Sequence, residues 1–222
     1  MTSAAFVRPV EAASVVERVT HEIRRSIVAG RMEPGQEFSL RQIAAQLGVS
    51  FIPVREALRS LEAEGLLVTR RGRSAVVAPL DAEELRAICR LRRLIEPDLN
   101  IQAAEKIPAA ELDRLEAFVE LCEDPGNHPD VRYERYHVLH LDMVRPTATT
   151  WDLRIIERLW RAFERYLRVG EQRTNPGEVD SAEAVSRELL AAFRSRDPER
   201  VRAATLRRLD RAEHIARRSL QH

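Results

Sequence analysis

The sequence has 222 residues, of which 44% are hydrophobic and 32% charged, a composition typical of soluble globular proteins with one large or two small domains. No apolar run approaches the ~20 residues of a membrane helix, and residues 1–9 lack the pattern of a secretion signal. Two cysteines are too few for a disulfide scaffold, so we expect a cytoplasmic location. The net charge is +1, yet residues 1–80 have a net charge of +3 and the remainder of −2. This asymmetry favours contact between the front part and a polyanion.

The front part is predicted to form short elements separated by turns. After an N-terminal tail, 1–13, apolar side chains at spacing four indicate a helix over 14–29, which Gly30 ends. Two further helices are predicted, over 40–47 with Ser39 as N-cap and over 51–64 with Ser50 as N-cap. Two strands, 66–69 and 75–77, flank a basic tip and predict a β-hairpin. This order is the pattern of a winged helix-turn-helix over residues 14–78.

The helix over 51–64 is the predicted recognition helix, whose first residues would reach base edges in the major groove of DNA. The guanidinium fork of Arg55 suits the O6 and N7 atoms of guanine, whereas Arg41 and Arg59 are placed for phosphate. The alternative is that these arginines form a solvated basic face. With the tip of the hairpin, the candidate DNA-contacting residues are Arg41, Ser50, Phe51, Ile52, Pro53, Arg55, Arg59, Arg71, Gly72 and Arg73.

Several runs in this part resemble the GntR family of bacterial transcription regulators. They are IVAGRMEPG at 27–35, LGVS at 47–50, PVREAL at 53–58 and LEAEGL at 61–66. The resemblance implies that the protein binds double-stranded DNA at a short palindromic operator. One difference is that Phe51 and Ile52 stand where the family often has Arg-Thr. Apolar side chains can contact a thymine methyl group but cannot donate to guanine or phosphate, which predicts a shifted operator preference.

From residue 81 onward the sequence predicts one helix after another. The predicted spans are 81–104 with a bend near Pro97, 109–122, 130–145, 151–172, 179–195 and 198–219. Six helices with short links imply an antiparallel all-α bundle over residues 79–222. The expected fold class is therefore mainly α, with an N-terminal winged helix-turn-helix and a C-terminal helical bundle.

Motifs in the predicted bundle resemble the FCD domain, the C-terminal domain of the FadR-type branch of the same family. The clearest is LRRLIEP at 91–97, and LH at 139–140 and IIERLW at 155–160 also match. The resemblance implies a domain that forms homodimers and binds a small organic acid, or another anion, at the centre of the bundle.

The resemblance also bears on a metal site, because many such domains hold an ion with Asp-x3-His on one helix and a His on each of two later helices. His140 matches the first histidine, but Tyr136 stands in the Asp position, and the later positions fall near Ser186 and Arg208. Guanidinium has no lone pair for a metal, so we expect no metal and no cofactor. Arg208 would then supply the positive charge that the metal supplies in relatives.

Polar side chains on four of the predicted helices face the interior of the bundle. An unpaired buried arginine is costly, so each needs an anion or a carboxylate partner. Two interpretations stay open. Either the arginines bind the acid group of an effector, or they form internal salt bridges, for example with Glu96, beside a satisfied core histidine. The candidate effector-binding residues are Arg92, Tyr136, His140, Ser186 and Arg208.

The expected function is that of an effector-responsive transcriptional regulator, acting as a repressor. A homodimer would present two recognition helices to two half-sites. The alternative is a DNA-binding regulator whose helical part only dimerises or binds a protein partner. The sequence has no P-loop, dinucleotide-binding glycine pattern, Gly-x-Ser-x-Gly or metal-hydrolase His-Glu pair, so we do not expect an enzyme.

Overall fold

The computed structural model describes residues 15–70, 74–124, 126–175, 177 and 180–221. These residues form mainly α-helices and one small sheet, which confirms the predicted fold class. Three candidate DNA-contacting residues at the hairpin tip, Arg71, Gly72 and Arg73, lie outside the described residues, as does the N-terminal tail. None of the described helices has both the length and the hydropathy needed to cross a bilayer.

The front part begins with helix α1 (Val15–Val28), strand β1 (Glu37–Ser39), helix α2 (Leu40–Leu47) and helix α3 (Phe51–Ala63), and it ends with strands β2 (Leu67–Arg70) and β3 (Ser74–Val77). The sheet is antiparallel in the order β1-β3-β2. Strand β1 has three residues and was not predicted, because its pairing with β3 depends on residues almost forty positions away. The predicted helices and hairpin agree with the structure to within one or two residues.

The N-caps of α2 and α3 differ in a way that the sequence explains. Ser39 forms a capping box with Gln42, in which each side chain binds the backbone N–H of the other residue. Ser50 occupies the N-cap position of α3, but its side chain makes no capping hydrogen bond, so the predicted cap is corrected. Pro53, at the third helical position, has no N–H to donate to the serine.

The rear part consists of α4 (Ala82–Lys106), α5 (Ala109–Cys122), α6 (Pro129–Val144), α7 (Thr150–Gln172), α8 (Ala182–Ser195) and α9 (Pro198–Arg218). Every predicted span is found to within three residues, and α4 continues through Pro97. Helix α4 packs against α7 and α9, α9 also packs against α7 and α8, and α5 packs against α6 and α8. This arrangement surrounds the polar side chains that face inward.

Helix α7 contacts both parts of the chain. Arg158 donates to the carbonyl of Ala63 at the C-terminal end of α3, with 3.0 Å between Nη2 and the oxygen. Arg165 donates to the carbonyl of Ala78, 3.1 Å away, and Tyr166 binds the backbone of Asp81. The segment that connects the two parts is therefore attached to α7, which also packs against α1.

Candidate functional site

The N-terminal half of α3 presents one face to solvent. The opposite face is fully buried in the core of the front part through Val54, Ala57 and Leu61. On the free face Phe51 is 53% and Ile52 64% exposed, although both are large apolar residues. The contact between α3 and the bundle lies at the other end of the helix, at Ala63. The N-terminal half is thus accessible to a partner.

Exposed arginines lie on α3 and on the preceding helix. The side chains of Arg55 and Arg59 are 57% and 66% exposed, and Arg59 donates to Glu56, 3.1 Å away. Arg41 is exposed near the start of α2, and Ser50 is exposed immediately before α3, whereas Pro53 is half-buried. Of the described members of the predicted DNA-contacting set, Arg55 and Arg59 are thus exposed on α3 and Arg41 is exposed on α2.

A cavity of about 640 Å³ lies in the bundle between α4, α6, α7, α8 and α9. All five candidate effector-binding residues line it. Six other lining side chains, away from its mouth, are apolar or aromatic. They are Trp160, Phe163, Leu167, Val185, Ala212 and Ile215.

A buried ionic cluster forms the inner wall of this cavity. Arg92 donates from Nε to Glu96 Oε1 at 2.6 Å, and Arg208 donates from Nη2 to the other carboxylate oxygen. Trp160 donates its indole N–H to Glu96 at 2.8 Å, and Glu96 is only 2% exposed. Burial works to raise the pKa of Glu96, but the two guanidinium groups outweigh burial and lower that pKa.

The cluster has two cations and one anion. The i,i+4 spacing on α4 places Glu96 beside Arg92, and α9 brings Arg208 to the same carboxylate. The internal salt bridges considered from the sequence are therefore present, and neither arginine lacks a counterion. One positive charge nevertheless remains in excess. Among the described residues, both Nη nitrogens of Arg92 and the Nη1 of Arg208 have no hydrogen-bond partner.

His140 differs from the satisfied core histidine of the second interpretation. Within the described chain, its buried Nε2 atom has no hydrogen-bond partner, and neither does Nε of Arg208. The ring centroid lies 5.9 Å from that of Trp160. Burial, followed by the charges of Arg208 and Arg92, lowers the pKa of His140 well below its usual value. The imidazole is therefore neutral at pH 7 and can donate or accept a hydrogen bond.

Hydrogen-bonded tyrosines and acidic side chains form the outer part of the cavity. Tyr133 donates to Glu171, and Tyr136 donates to Glu123. The exposed residues among the lining mark its mouth, after the C-terminal end of α7 and before α8. They are Asn175, Gly177, Asp180 and Ser181.

A second cavity, of about 270 Å³, lies between α1 and helices α6 and α7. Three residues line both cavities: Tyr133, His137 and Glu164. His137 packs edge-on against Trp160 at 5.5 Å between ring centroids. Glu164 accepts two hydrogen bonds from Arg168, at 2.8 and 2.6 Å. Part of the wall of the first cavity therefore also lines the cavity beside α1.

The residues at the metal positions of the family do not fit a metal ion. His140 supplies one donor, Tyr136 is engaged by Glu123, and Arg208 is a cation held by Glu96. Among the described residues there is no group of three or more His, Cys, Asp or Glu side chains able to hold an ion. A guanidinium in a ligand position repels a cation, so these residues do not fit the metal site of the family.

Some residues of the cavity were not found from the sequence. The sequence motif at 155–160 contains Trp160, but it did not place the indole beside Glu96. Phe163, whose ring centroid lies 4.3 Å from the Arg92 guanidinium carbon, was not singled out. The spacing of Trp160, Phe163 and Leu167 on α7 is a signal for one buried face, but it does not show that the face lines a cavity.

Comparison with known families assigns both parts of the chain. The description "Bacterial regulatory proteins, gntR family" matches residues 15–77, and "FCD domain" matches residues 87–211, which is more than half of the chain. The chain belongs to the GntR family and has an FCD domain. It is therefore a DNA-binding transcriptional regulator with an effector-binding domain, which is a non-enzymatic role.

Several relatives of this GntR regulator are transcriptional regulators. It is 24% identical over 196 residues to the HTH-type transcriptional regulator McbR of Escherichia coli, and the aligned region covers 84% of this chain and 85% of McbR. It is 34% identical over 128 residues to Mce2R of Mycobacterium tuberculosis, covering 56% of this chain and 52% of Mce2R. The gluconate operon transcriptional repressor of Bacillus subtilis is 40% identical over 84 residues, covering 38% of this chain and 34% of the repressor.

Solved structures share the fold of the GntR regulator. Escherichia coli McbR/YncC matches with a TM-score of 0.79 at 22% identity, over 95% of this chain and 100% of that chain. A GntR regulator from Rhodococcus sp. RHA1 matches with a TM-score of 0.68 at 19% identity, over 92% and 98%. At these identities the similarity establishes the fold.

Proposed function

We propose that this regulator is a homodimeric repressor whose binding to a short palindromic operator is controlled by a small anionic metabolite. The observation that carries the effector part is the inner wall of the cavity, where Arg92 and Arg208 share the single carboxylate of Glu96. Excess positive charge in a low-dielectric interior is complemented by an anion. The repressor role follows relatives named as repressors of the gluconate and galactonate operons.

The operator would be read by the exposed face of α3, within a DNA-binding domain of residues 14–78. Arg55 would contact a guanine, Arg41 and Arg59 would contact phosphates, and Phe51 and Ile52 would contact thymine methyl groups. The exposure of two large apolar side chains at a helix N-terminus is unusual unless a partner covers them. The bundle, residues 79–222, would supply the effector site and the dimer contact.

The dimer contact is proposed for the neighbouring helices α4 and α7. Each has exposed apolar side chains on the surface: Leu91 and Leu94 on α4, and Trp151 and Ile155 on α7. Leu94 is 65% and Trp151 68% exposed in the single chain. A twofold contact between these surfaces would bury them and would position two recognition helices for two half-sites.

Helix α7 is the element through which the effector would act. Its residues Trp160 and Glu164 line the cavity, and its Arg158 and Arg165 hold the end of α3 and the connecting segment. A ligand that favours one position of α7 would change the placement of the DNA-binding domain. The size of the response equals the difference in affinity of the ligand for the two arrangements.

The alternative function has a helical part that only dimerises or binds a protein partner. Such a part has no need of an open interior, and a cavity of about 640 Å³ argues against it. The experiment that separates the two begins with selection of an operator from random duplexes by the purified protein. Metabolite acids are then added to the complex. Release of the operator by an acid supports effector control, and stable binding in the presence of every acid supports the alternative.

A further inference from the structure

The effector cavity has a charge and polarity gradient along its length. Its inner end holds Arg92, Arg208 and neutral His140, and its outer end holds the exposed mouth. On α7 the lining runs from Trp160 at the inner end to Glu171 near the mouth. At 1.5 Å per residue, these two positions are about 16 Å apart along the helix axis. The cavity is therefore elongated, with different chemistry at its two ends.

The middle of the cavity offers few polar partners to a ligand. Five apolar or aromatic side chains lie between the two ends: Phe163, Leu167, Val185, Ala212 and Ile215. Glu164 also lines this section, but its carboxylate already accepts two hydrogen bonds from Arg168. A sugar acid has a hydroxyl group on almost every carbon, and each would lose its hydrogen bonds to water on entering this section. Methylene or aromatic carbons would instead gain from burial there. The body of the ligand should therefore be apolar.

The outer end disfavours a second acid group on the ligand. Three acidic side chains, Glu123, Glu171 and Asp180, line it, against two basic ones, Arg132 and Arg211. Both glutamates are already hydrogen-bonded to tyrosines. The inner end has an excess of one positive charge and the outer end an excess of one negative charge, so one acid group at the inner end satisfies the site.

We propose that the effector is a monocarboxylic acid with an apolar body, oriented with its carboxylate toward Arg92 and Arg208, an inference that rests on the proposed function. The free Nη groups of these arginines would donate to the carboxylate while Glu96 keeps its own hydrogen bonds. His140 would add a neutral donor. The apolar body would lie along α7 toward the mouth. This excludes sugar acids and dicarboxylic acids as the preferred ligands.

The test is isothermal titration of the full chain at neutral pH with four matched compounds: octanoate, octan-1-ol, octanedioate and gluconate. We expect octanoate to bind at least about tenfold more tightly than each of the other three. Stronger binding of gluconate or octanedioate would overturn the inferred ligand class but leave the anionic effector intact. Equal binding of octan-1-ol, or binding of none of the acids, would overturn the proposed effector site itself.

A pair of variants on α9 makes the test specific to the inner wall. Arg208→Met removes the excess charge and leaves the salt bridge between Arg92 and Glu96. Arg207→Met is the control, because Arg207 is exposed and pairs with Glu188. We expect Arg208→Met to weaken octanoate at least about tenfold while octan-1-ol binding, which also reports folding, is unchanged. Equal octanoate affinity in the two variants would contradict carboxylate binding at Arg208.

Discussion

Gly170 of α7 lies directly against the backbone of Ile215 in α9. A β-carbon built on Gly170 would be 2.0 Å from the Ile215 carbonyl oxygen and 2.7 Å from its carbonyl carbon. Both atoms belong to a helix backbone, which cannot move aside alone. The absence of a side chain at this position therefore sets the distance between two helices that line the cavity.

We predict that Gly170→Ala destabilises the protein by about 1–3 kcal/mol, because α7 and α9 must separate to admit the methyl group. The direction of the change in stability shows whether the close contact between the two helices exists. In a helix without such a contact, the same substitution stabilises by about 0.5–1 kcal/mol. Urea denaturation of the two proteins measures the difference. A variant as stable as the parent would show that the two helices are not held at this distance.

We predict that Glu96→Gln destabilises the protein by about 3–5 kcal/mol, because it leaves Arg92 and Arg208 buried without their shared counterion. The exposed Glu83 on the same helix provides the control, since Glu83→Gln should have little effect. Thermal or urea denaturation gives the comparison. Similar stability of the two variants would mean that the buried carboxylate does not hold the arginines.

The lowered pKa of His140 predicts a pH dependence of stability. Its pKa is below the usual 6.5 in the folded chain, so the unfolded chain binds the proton more readily. Stability is therefore complete above pH ~6.5 and decreases by up to about 1.4 kcal/mol per pH unit below it. The neighbouring His137 contributes in the same direction, since its pKa is also lowered, chiefly by burial. The guanidinium groups of Arg208 and Arg92 lie close enough to His140 to disfavour its charged form.

The His140→Gln variant should show a smaller loss of stability between pH ~7 and pH ~5 than the parent protein. His21, which is exposed on α1, supplies the control substitution His21→Gln. Thermal denaturation at a series of pH values measures each profile. If His140→Gln has the same pH profile as the parent, His140 does not reside in the desolvated, positively charged surroundings described above.

Arg196 is the residue that ends α8, and its side chain caps the C-terminal end of α4, which is far away in the sequence. It ends α8 in the left-handed region at φ 53°, which is unfavourable for a residue with a β-carbon. Its guanidinium donates to the carbonyls of Ala104 at 2.6 Å and Glu105 at 2.7 Å in the last turn of α4, and to that of the C-cap residue Ile107 at 2.8 Å. These bonds satisfy acceptors that the end of a helix leaves unpaired.

We predict that Arg196→Ala destabilises the protein by about 1–3 kcal/mol. Arg196→Gly should destabilise the protein by up to about 1 kcal/mol less than Arg196→Ala does. Glycine relieves the backbone strain, although the three hydrogen bonds are still lost. Arg200→Ala, at an exposed position of α9, is the control. Urea denaturation ranks the three variants. Greater stability of Arg196→Gly than of the parent would indicate that the three hydrogen bonds contribute little.

Arg55→Ala should weaken binding to the selected operator by about 1–3 kcal/mol and relax the sequence preference at one base pair. Arg90→Ala is the control, because Arg90 is exposed on α4, outside the DNA-binding part. Titrations of labelled operator and of operators with single base changes measure both effects. Equal affinity of the two variants would remove Arg55 from the base-contacting residues.

The order and type of the main elements were available from the sequence because they depend on local signals. Apolar spacing, the capping Ser39 and Gly or Pro breaks located the helices and the hairpin in the part of the chain that the structure describes, and the GntR and FCD motifs indicated the family. The inward side of α9, with Arg208, also followed from helical periodicity. The strand β1 did not, because a three-residue strand is stabilised by a partner far along the chain.

Only the tertiary structure shows how the charges in the polar interior are paired and that this interior contains a cavity. Helical wheels showed that Arg92 and Arg208 face inward, but the distance between side chains on α4 and α9 depends on how the helices pack. The hydrogen bond from the Trp160 indole to Glu96 and the wall shared by the two cavities also depend on how the helices pack. Local propensity determines each helix, whereas contacts between residues far apart in sequence determine the space that the helices enclose.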